Sequence, residues 1–399
     1  MNVAEMEEKM RRKGFLGALL IALAATALFI GCSKKEQTIK IGFNIPLTGD
    51  NPMVGEGSKN AGDIVLKALK AQGGLTVKGQ KYPVEFIYVD NELKAESAVQ
   101  AALRLIEQDK VLAVVGPQGS GRAIPAGQVN NDNRTPMISA WSTNPDTTLN
   151  RPYVFRACFL DPFQAPVAAK FAKEQFNVTK TAILYNLEDD YSKTLAELYR
   201  DSWQAANGPG SVVVFDSFGQ RDQDFSAQLT RIVNSGAEML YLPVYYNFVA
   251  LIVPQAKDLG WNKPIMGADA WGSADLVPLS KGSVAGYYFT THYAAAGAVG
   301  KTKEFIDEYN ASYGYIPDDV AALTYDAVNI VLQAIQNAGL SGDLQKDRNA
   351  IKDAMAALRN YDGITGKMNF NVQGDPEKDA VVVRISEAGE FVYVTSLQP

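Results

Sequence analysis

Residues 111–122 read VLAVVGPQGSGR. Small and branched apolar residues form a strand pattern that breaks into a loop with three glycines, Gly116, Gly119 and Gly121. A hydrophobic strand ending in a glycine-rich loop is how many nucleotide-binding proteins cradle phosphate. The dinucleotide fingerprint, however, needs G-x-G-x-x-G, and the phosphate loop needs a terminal Gly-Lys-Ser/Thr. GPQGSGR supplies neither. What it keeps is backbone N–H groups, the Ser120 hydroxyl and a helix that begins soon after, which suits a carboxylate as well as a phosphate. Pro125 fits comfortably only in the first turn of that helix, so the cap position stays open. A merely structural loop would read the same way.

Outward from this stretch the chain alternates strand and helix patterns. TIKIGFNIP, VEFIYVD, VLAVVG and TPMISA read as strands, with helices at GSKNAGDIVLKALKAQGG and AESAVQAALRLIEQD. A second series follows with TAILYN, VVVFDSF, MLYLPV and PIMGAD as strands. Its helices are YSKTLAELYRDSWQAA, FSAQLTRIVNSG and a segment through Val249–Leu259. Such alternation predicts right-handed βαβ units and mostly parallel sheets covered on both faces. Two series predict two sheets. Three helical patterns then run consecutively, KTKEFIDEYNASYG, VAALTYDAVNIVLQAIQNAG and KDRNAIKDAMAALRN, before a hairpin, AVVVRISEAGEFVYV. Helices without intervening strands pack on sheets already formed, so the chain is expected to return to its first half before finishing in its second.

Strand ends carry the candidate chemistry, because open α/β sheets place their crevices there. ISAWSTNP sets Trp141, Ser142 and Thr143 at one such end, and PIMGAD sets Asp269 at another. Two neighbouring loops with Ser and Thr hydroxyls can hold one carboxylate, and a strand-end Asp can face an ammonium. Equally, Trp141 could plug a core and Asp269 could cap a short helix.

Length and composition bound the rest. A chain of 399 residues, 47% hydrophobic and 21% charged, fits two soluble globular domains. A net charge of −6 without a basic stripe argues against nucleic acid or an anionic membrane surface as the main partner. With one histidine, His292, a His-based triad or multi-His metal site has almost no material. At the start, Lys9, Arg11, Arg12 and Lys13 precede the apolar run FLGALLIALAATALFIG and then Cys32. That is the pattern of a secretory signal, with Met1, Met6 or Met10 as its first residue. FIGC resembles a bacterial lipobox, with Phe29 in place of the usual Leu, and the polar SKKEQ reads as a tether. Cys158 is then the only other cysteine and is expected to be a buried structural thiol.

Taken together, the stretches IGFNIPLTGDNPMVGEGSKNAGDIVLKALKAQGG, VVGPQGSG, TPMISAWSTNP, LYNLEDDYSKTLAE, VALIVPQAKDLGW and DGITGKMNFNVQGDP resemble one family. It is the type I periplasmic solute-binding proteins of ABC importers, in the branched-chain amino acid (Leu/Ile/Val) branch. The resemblance spans residues 38 to about 376. It implies an α/β fold of two doubly wound, parallel-rich lobes joined by a three-strand hinge, closing on a ligand. The implied crossovers lie near residues 158–162, 288–293 and 362–368. The implied division is signal peptide 1–31, tether 32–37, lobe 1 at 38–160 plus 292–364, and lobe 2 at 161–291 plus 365–399.

Carried over residue by residue, the resemblance puts Ser120 and Thr143 on a ligand carboxylate. The Trp141 carbonyl and Thr143 hydroxyl meet the ammonium, with Ser142 beside them. From the second lobe, Tyr191 covers the ligand, Tyr245 lines the cleft and Asp269 pairs with the ammonium. Departures from the family are Val54 at a position often aromatic, the absence of paired cysteines, and Asp269 where some members carry the longer Glu.

The function implied is a periplasmic or envelope receptor, lipid-anchored to a bacterial membrane. It captures a small amphipathic ligand, an aliphatic or branched-chain amino acid, and delivers it to an ABC importer's permease subunits. Alternatives are a ligand-binding sensor for a membrane partner, or a binder of a small carboxylate or amide that is not an amino acid. An enzyme is not expected, since Ser120 has no histidine partner except His292, which the family fold places elsewhere. No cofactor or metal is expected, and the protein should be a monomer. If Cys32 carries lipid at the mature N-terminus, one or two chains plus the tether hold the domain at a membrane. Cys32→Ser should then release the protein or leave it unprocessed, and unchanged mass with unchanged membrane retention would exclude the anchor.

Overall fold

A computed structural model describes residues 37–398, together with residues 2, 3, 6 and 10. Apart from those four residues, the proposed signal segment and Cys32 lie outside the described residues. Among the described residues no helix is long and apolar enough to cross a membrane.

The first sheet is built from β1 (Ile39–Ile45), α1 (Pro52–Ala71), a hairpin of β2 (Leu75–Val77) and β3 (Gln80–Tyr82), and β4 (Val84–Asp90). It continues with α2 (Ala95–Leu103), β5 (Ala113–Val115), α3 (Ser120–Asp132), β6 (Met137–Ser139) and β7 (Val154–Arg156). The strands lie in the order β4-β1-β5-β6-β7, every neighbouring pair parallel. Near-continuous burial along β1 follows from helices covering both faces, as parallel sheets require.

The second sheet starts after α4 (Asp161–Phe176). It takes β8 (Thr181–Asn186), α5 (Asp190–Asn207), β9 (Val212–Phe218), α6 (Ser226–Asn234) and β10 (Met239–Leu242). Then come α7 (Tyr246–Asp258), β11 (Ile265–Gly267), α8 (Leu276–Leu279) and β12 (Tyr288–Thr291). Helices α9 (Gly300–Tyr313), α10 (Asp319–Ala338) and α11 (Leu344–Ala356) follow without intervening strands, and α10 packs along α1. A small antiparallel sheet of β13 (Tyr361–Gly363), β14 (Gly366–Phe370) and β15 (Pro376–Glu377) leads to β16 (Ala380–Ile385) and β17 (Phe391–Leu397). The second sheet runs β17-β16-β12-β11-β10-β8-β9, with the final hairpin as its antiparallel edge. The chain is therefore α/β with two doubly wound, parallel-rich sheets.

The periodicity reading misses some elements for identifiable reasons. Helix α4 contains Pro162 near its start and Pro166 inside it, and prolines break the helical pattern. Strands β2 and β3 are three residues each, turned by Lys78 and Gly79, both at positive φ. Pro125 is not in a first turn: α3 begins at Ser120, directly after Gly119 at φ +79°, so the proline sits inside the helix. It removes the bond that would reach the Gly121 carbonyl. The chain enters the second sheet for the last time at Ala380, later than residues 362–368. Strands β13–β15 stay with the first sheet because Asp375 pairs with Arg156 and Thr365 bonds to Asp326 of α10.

Arg156 ends β7 and is wholly buried. Its Nε donates to Asp375 Oδ1 at 2.6 Å, its Nη1 to the Ser142 and Asn144 carbonyls at 2.6 and 2.9 Å, and its Nη2 to Thr148 Oγ1 at 2.7 Å. One guanidinium therefore fixes the loop after β6 and ties it to the small sheet. Removing one member of a buried pair leaves the other uncompensated, at a cost of about 3–5 kcal/mol. Arg156→Met should lower unfolding stability in urea by about that amount. A loss under about 1 kcal/mol, the scale of an exposed pair, would show the pair to be dispensable.

Candidate functional site

Each sheet has a point where strand order reverses, between β1 and β5 in the first and between β8 and β10 in the second. Crevices form outside the C-terminal strand ends at such points. The loops there carry the residues singled out from sequence. Ser120 opens α3 after β5, Trp141, Ser142 and Thr143 follow β6, Tyr191 follows β8, Tyr245 follows β10 and Asp269 follows β11. All seven are buried, and the structure brings them together.

The first-sheet loops are zipped to one another. Ser142 Oγ lies 3.1 Å from Ser120 Oγ and 2.6 Å from Thr147 Oγ1, and the Asn144 N–H donates to Ser120 Oγ at 3.4 Å. Ser142 thus serves the loop's own geometry. Thr143 Oγ1 and Trp141 Nε1, by contrast, are buried without a hydrogen bond of normal geometry among the described residues, the first beside the Asp161 carboxyl and the second beside that of Asp319.

An aromatic wall faces them. Trp141 and Tyr245 have ring centroids 5.7 Å apart, and Tyr245 and Tyr191 5.4 Å apart. The Tyr191 hydroxyl donates to Asp269 Oδ1 at 2.8 Å. Asp269 also accepts from Gln164 Nε2 at 2.8 Å and has His292 Nε2 at 3.4 Å. It opens a short 3₁₀ turn, Asp269–Trp271, but its side chain makes no capping bond, so the helix-cap reading does not hold.

The loops of the two sheets also meet directly. Arg122 of α3 donates to the Tyr245 hydroxyl at 3.0 Å and lies 3.8 Å from Asp189, with both charged groups largely buried. Asn144 Nδ2 donates to the Asp190 carbonyl at 3.1 Å and to Thr194 Oγ1 at 3.0 Å.

Sequence reasoning missed two acids. Asp161 is the first residue of α4; it is fully buried, and among the described residues neither carboxylate oxygen closes a hydrogen bond of normal geometry, although the Thr143 hydroxyl acts on it in the lowering direction. Burial, and then the Asp269 charge, push its pKa well above the ordinary carboxyl value. Asp319, the first residue of α10, accepts from Thr291 Oγ1 at 3.1 Å through Oδ2, while Oδ1 is unpartnered. Burial raises its pKa too, with Asp318 and Asp269 adding to the effect. The Trp141 indole acts on this carboxyl in the lowering direction without closing a hydrogen bond of normal geometry. DPFQ after a strand exit and the doubled acid in PDDV were the available signals, and both read equally well as helix starts.

Cations do not balance these acids. No Lys or Arg forms an ion pair with Asp161, Asp269 or Asp319 among the described residues. Burial lowers the pKa of His292, favouring neutral imidazole, and takes the Lys378 ammonium down to about 8 while it bonds to Thr365. Carboxylates buried without partners are unfavourable unless a cation or a proton joins them. The site can therefore stabilise a small cation beside the Thr143 hydroxyl and the Trp141 indole. Cys158 is buried, its Sγ 3.2 Å from the Ser142 carbonyl, and burial raises its pKa, so it behaves as a structural thiol. Val54 lies in the core on α1. Among the described residues no cluster of His, Cys, Asp and Glu could hold a metal ion.

Comparison with known proteins gives consistent relatives. A Leu/Ile/Val-binding protein of Rhizobium johnstonii is 29% identical, covering 94% of this chain and 99% of its own. A leucine-, isoleucine-, valine-, threonine- and alanine-binding protein of Pseudomonas aeruginosa is 27% identical, covering 89% and 92%. Among solved structures, a leucine-binding protein of Thermotoga maritima superposes with a TM-score of 0.82 at 30% identity, covering 90% and 99%. A branched-chain amino acid transporter substrate-binding protein of Streptococcus pneumoniae, in complex with isoleucine, gives 0.83 at 28% identity, covering 91% and 100%. The family profile described as periplasmic binding protein matches residues 38–390, and by that match the chain belongs to the periplasmic binding protein family.

Proposed function

We propose that this protein captures an amino acid with an aliphatic side chain between its two sheets and hands it to the membrane subunits of an ABC importer. The observation that carries this reading is Asp161: a buried carboxylate without a hydrogen bond of normal geometry on either oxygen, beside Asp269 and the Thr143 hydroxyl. A zwitterion meets both needs at once. Its ammonium offsets the buried carboxylates, and its carboxylate takes the hydroxyls and N–H groups at the start of α3, where the helix dipole favours an anion. The rings of Trp141, Tyr191 and Tyr245 supply the apolar contact for an aliphatic chain. The names of the relatives agree with an amino acid ligand.

In this reading Ser120, Trp141 and Thr143 hold the ligand from the first lobe. Tyr191, Tyr245 and Asp269 hold it from the second, and Asp161 is added to the ammonium site. The lobes follow the two sheets, with residues 361–377 assigned to the first. The protein works outside the cytoplasm as a monomer, tethered by lipid at Cys32, and performs no catalysis. The site has no nucleophile hydrogen-bonded to a base: Ser120 bonds to Ser142 and Asn144, and His292 to Asp269.

Asp269→Asn keeps the shape but removes charge from the ammonium's surroundings. Affinity for leucine, isoleucine or valine should fall by about two to four decades in calorimetry, the scale of a broken buried pair. Wild-type affinity in that variant would remove Asp269 from the site.

Titration supplies a second check. Because the folded-state pKa of Asp161 lies above its unfolded value, the ligand-free fold loses stability as pH rises from about 4 toward the raised value. An arriving ammonium favours the charged carboxylate and expels its proton. Binding at a pH between the ordinary carboxyl value and that raised value should therefore release protons, and its enthalpy should change with the ionisation enthalpy of the buffer. Identical enthalpies in two buffers of different ionisation enthalpy across that interval, in wild type and Asp161→Asn alike, would show that Asp161 does not meet the ammonium.

A further inference from the structure

A cavity of about 480 Å³ opens beside the cleft. Its lining includes Gly272, Thr291 and Asp319. Gly272 follows the Asp269–Trp271 turn directly, and a Cβ there would lie 2.9 Å from Asp319 Oδ1. Asp319 therefore stands against the end of the same turn that begins with Asp269. The far walls are apolar, with Phe289, Val383 and Phe391 from the second sheet and Ile306 and Ile316 opposite.

The charge of this chamber has one sign. Asp318, Asp319 and Glu390 line it, and no Lys, Arg or His does. Asp318 is committed to capping α10, its Oδ1 accepting the Ala321 N–H at 2.8 Å. Asp319 is not committed. It is 2% exposed and has one oxygen on Thr291 and the other with no partner among the described residues. Neutral aliphatic side chains would cover the apolar walls but leave this oxygen desolvated and unpaired. An aliphatic stem ending in an ammonium satisfies both the walls and the acid.

We infer that Asp319 selects a ligand whose aliphatic side chain ends in a primary ammonium seated on its free oxygen, so that a diamino acid fits this pocket better than a purely aliphatic one. The inference rests on the amino acid reading above, with Asp269 and Asp161 holding the α-ammonium and Asp319 the terminal one.

L-Lysine and L-norleucine share a four-carbon stem and differ by the terminal ammonium. Calorimetry of the full-length protein should therefore give lysine roughly ten- to a hundredfold tighter binding than norleucine, the scale of a hydrogen bond to a charged group. Asp319→Asn should abolish or invert that ratio, whereas Asp269→Asn should weaken both ligands together. The wild-type ratio needs no variant to fold. Norleucine binding as tightly as lysine to wild type overturns the role of Asp319 and leaves the amino acid reading intact. Failure of every α-amino acid to bind wild type overturns both, since the inference stands on that reading.

Discussion

The cleft depends on one buried guanidinium. The loop after β6 turns sharply to present Trp141 and Thr143, and its carbonyls at Ser142 and Asn144 point away from any strand partner. Arg156 takes both carbonyls, together with Thr148 and Asp375. Lysine could not replace it, because a single ammonium cannot reach partners spread around a planar fork. A buried ion pair is weak support for stability by itself, since desolvation cancels much of the attraction. Its worth here is positional. Asp375 comes from the small sheet through which the chain passes on its way into the second sheet, so Arg156 couples the geometry of the binding loop to that passage.

From that fixed loop the rest of the site is a balance of charge. Asp161, Asp269 and Asp319 are all buried, and the Asp269 charge raises the cost of ionising both Asp161 and Asp319. Like charges this close resist joint ionisation unless a cation or proton intervenes. An ammonium lying among these acids offsets that cost. Arg122 on Tyr245 and Asn144 on Asp190 join the loops of the two sheets without touching these acids.

Much of the fold was legible because parallel strands and their helices write strong periods into the sequence. The alternating series through VEFIYVD, TAILYN and MLYLPV correspond to strands of the two sheets. What stayed hidden lacked a period of its own. Helix α4 was obscured by Pro162 and Pro166, and β7 is three residues long with an arginine at its end. Ser120, Trp141, Ser142, Thr143 and Asp269 could be picked out because loops at strand C-termini converge whatever their length, whereas Tyr191 and Tyr245 came only with the family resemblance. Asp161 and Asp319 could not, since an acid in the first turn of a helix is an ordinary dipole partner. Only burial without a hydrogen bond separates a ligand group from a cap, and burial of that kind arises from packing between elements distant in the chain.

The glycines of VVGPQGSG show the same limit from the other side. Gly116 adopts φ +90°, and a Cβ there would strike the Asn44 carbonyl of the adjacent strand. Gly119 adopts φ +79°, and a Cβ there would lie 2.6 Å from the Tyr245 hydroxyl and clash with Arg122. Close packing demands these glycines, the second because a residue from the other sheet approaches its backbone. A phosphate would have to enter a site where three carboxylates already lack cations, and its charge would add to theirs. The α-carboxylate of a zwitterion brings its own ammonium to those acids. In the proposed amino acid reading, the helix N-terminus at Ser120 keeps the anion preference of a phosphate loop, and the surrounding acids favour an anion that arrives with a cation attached.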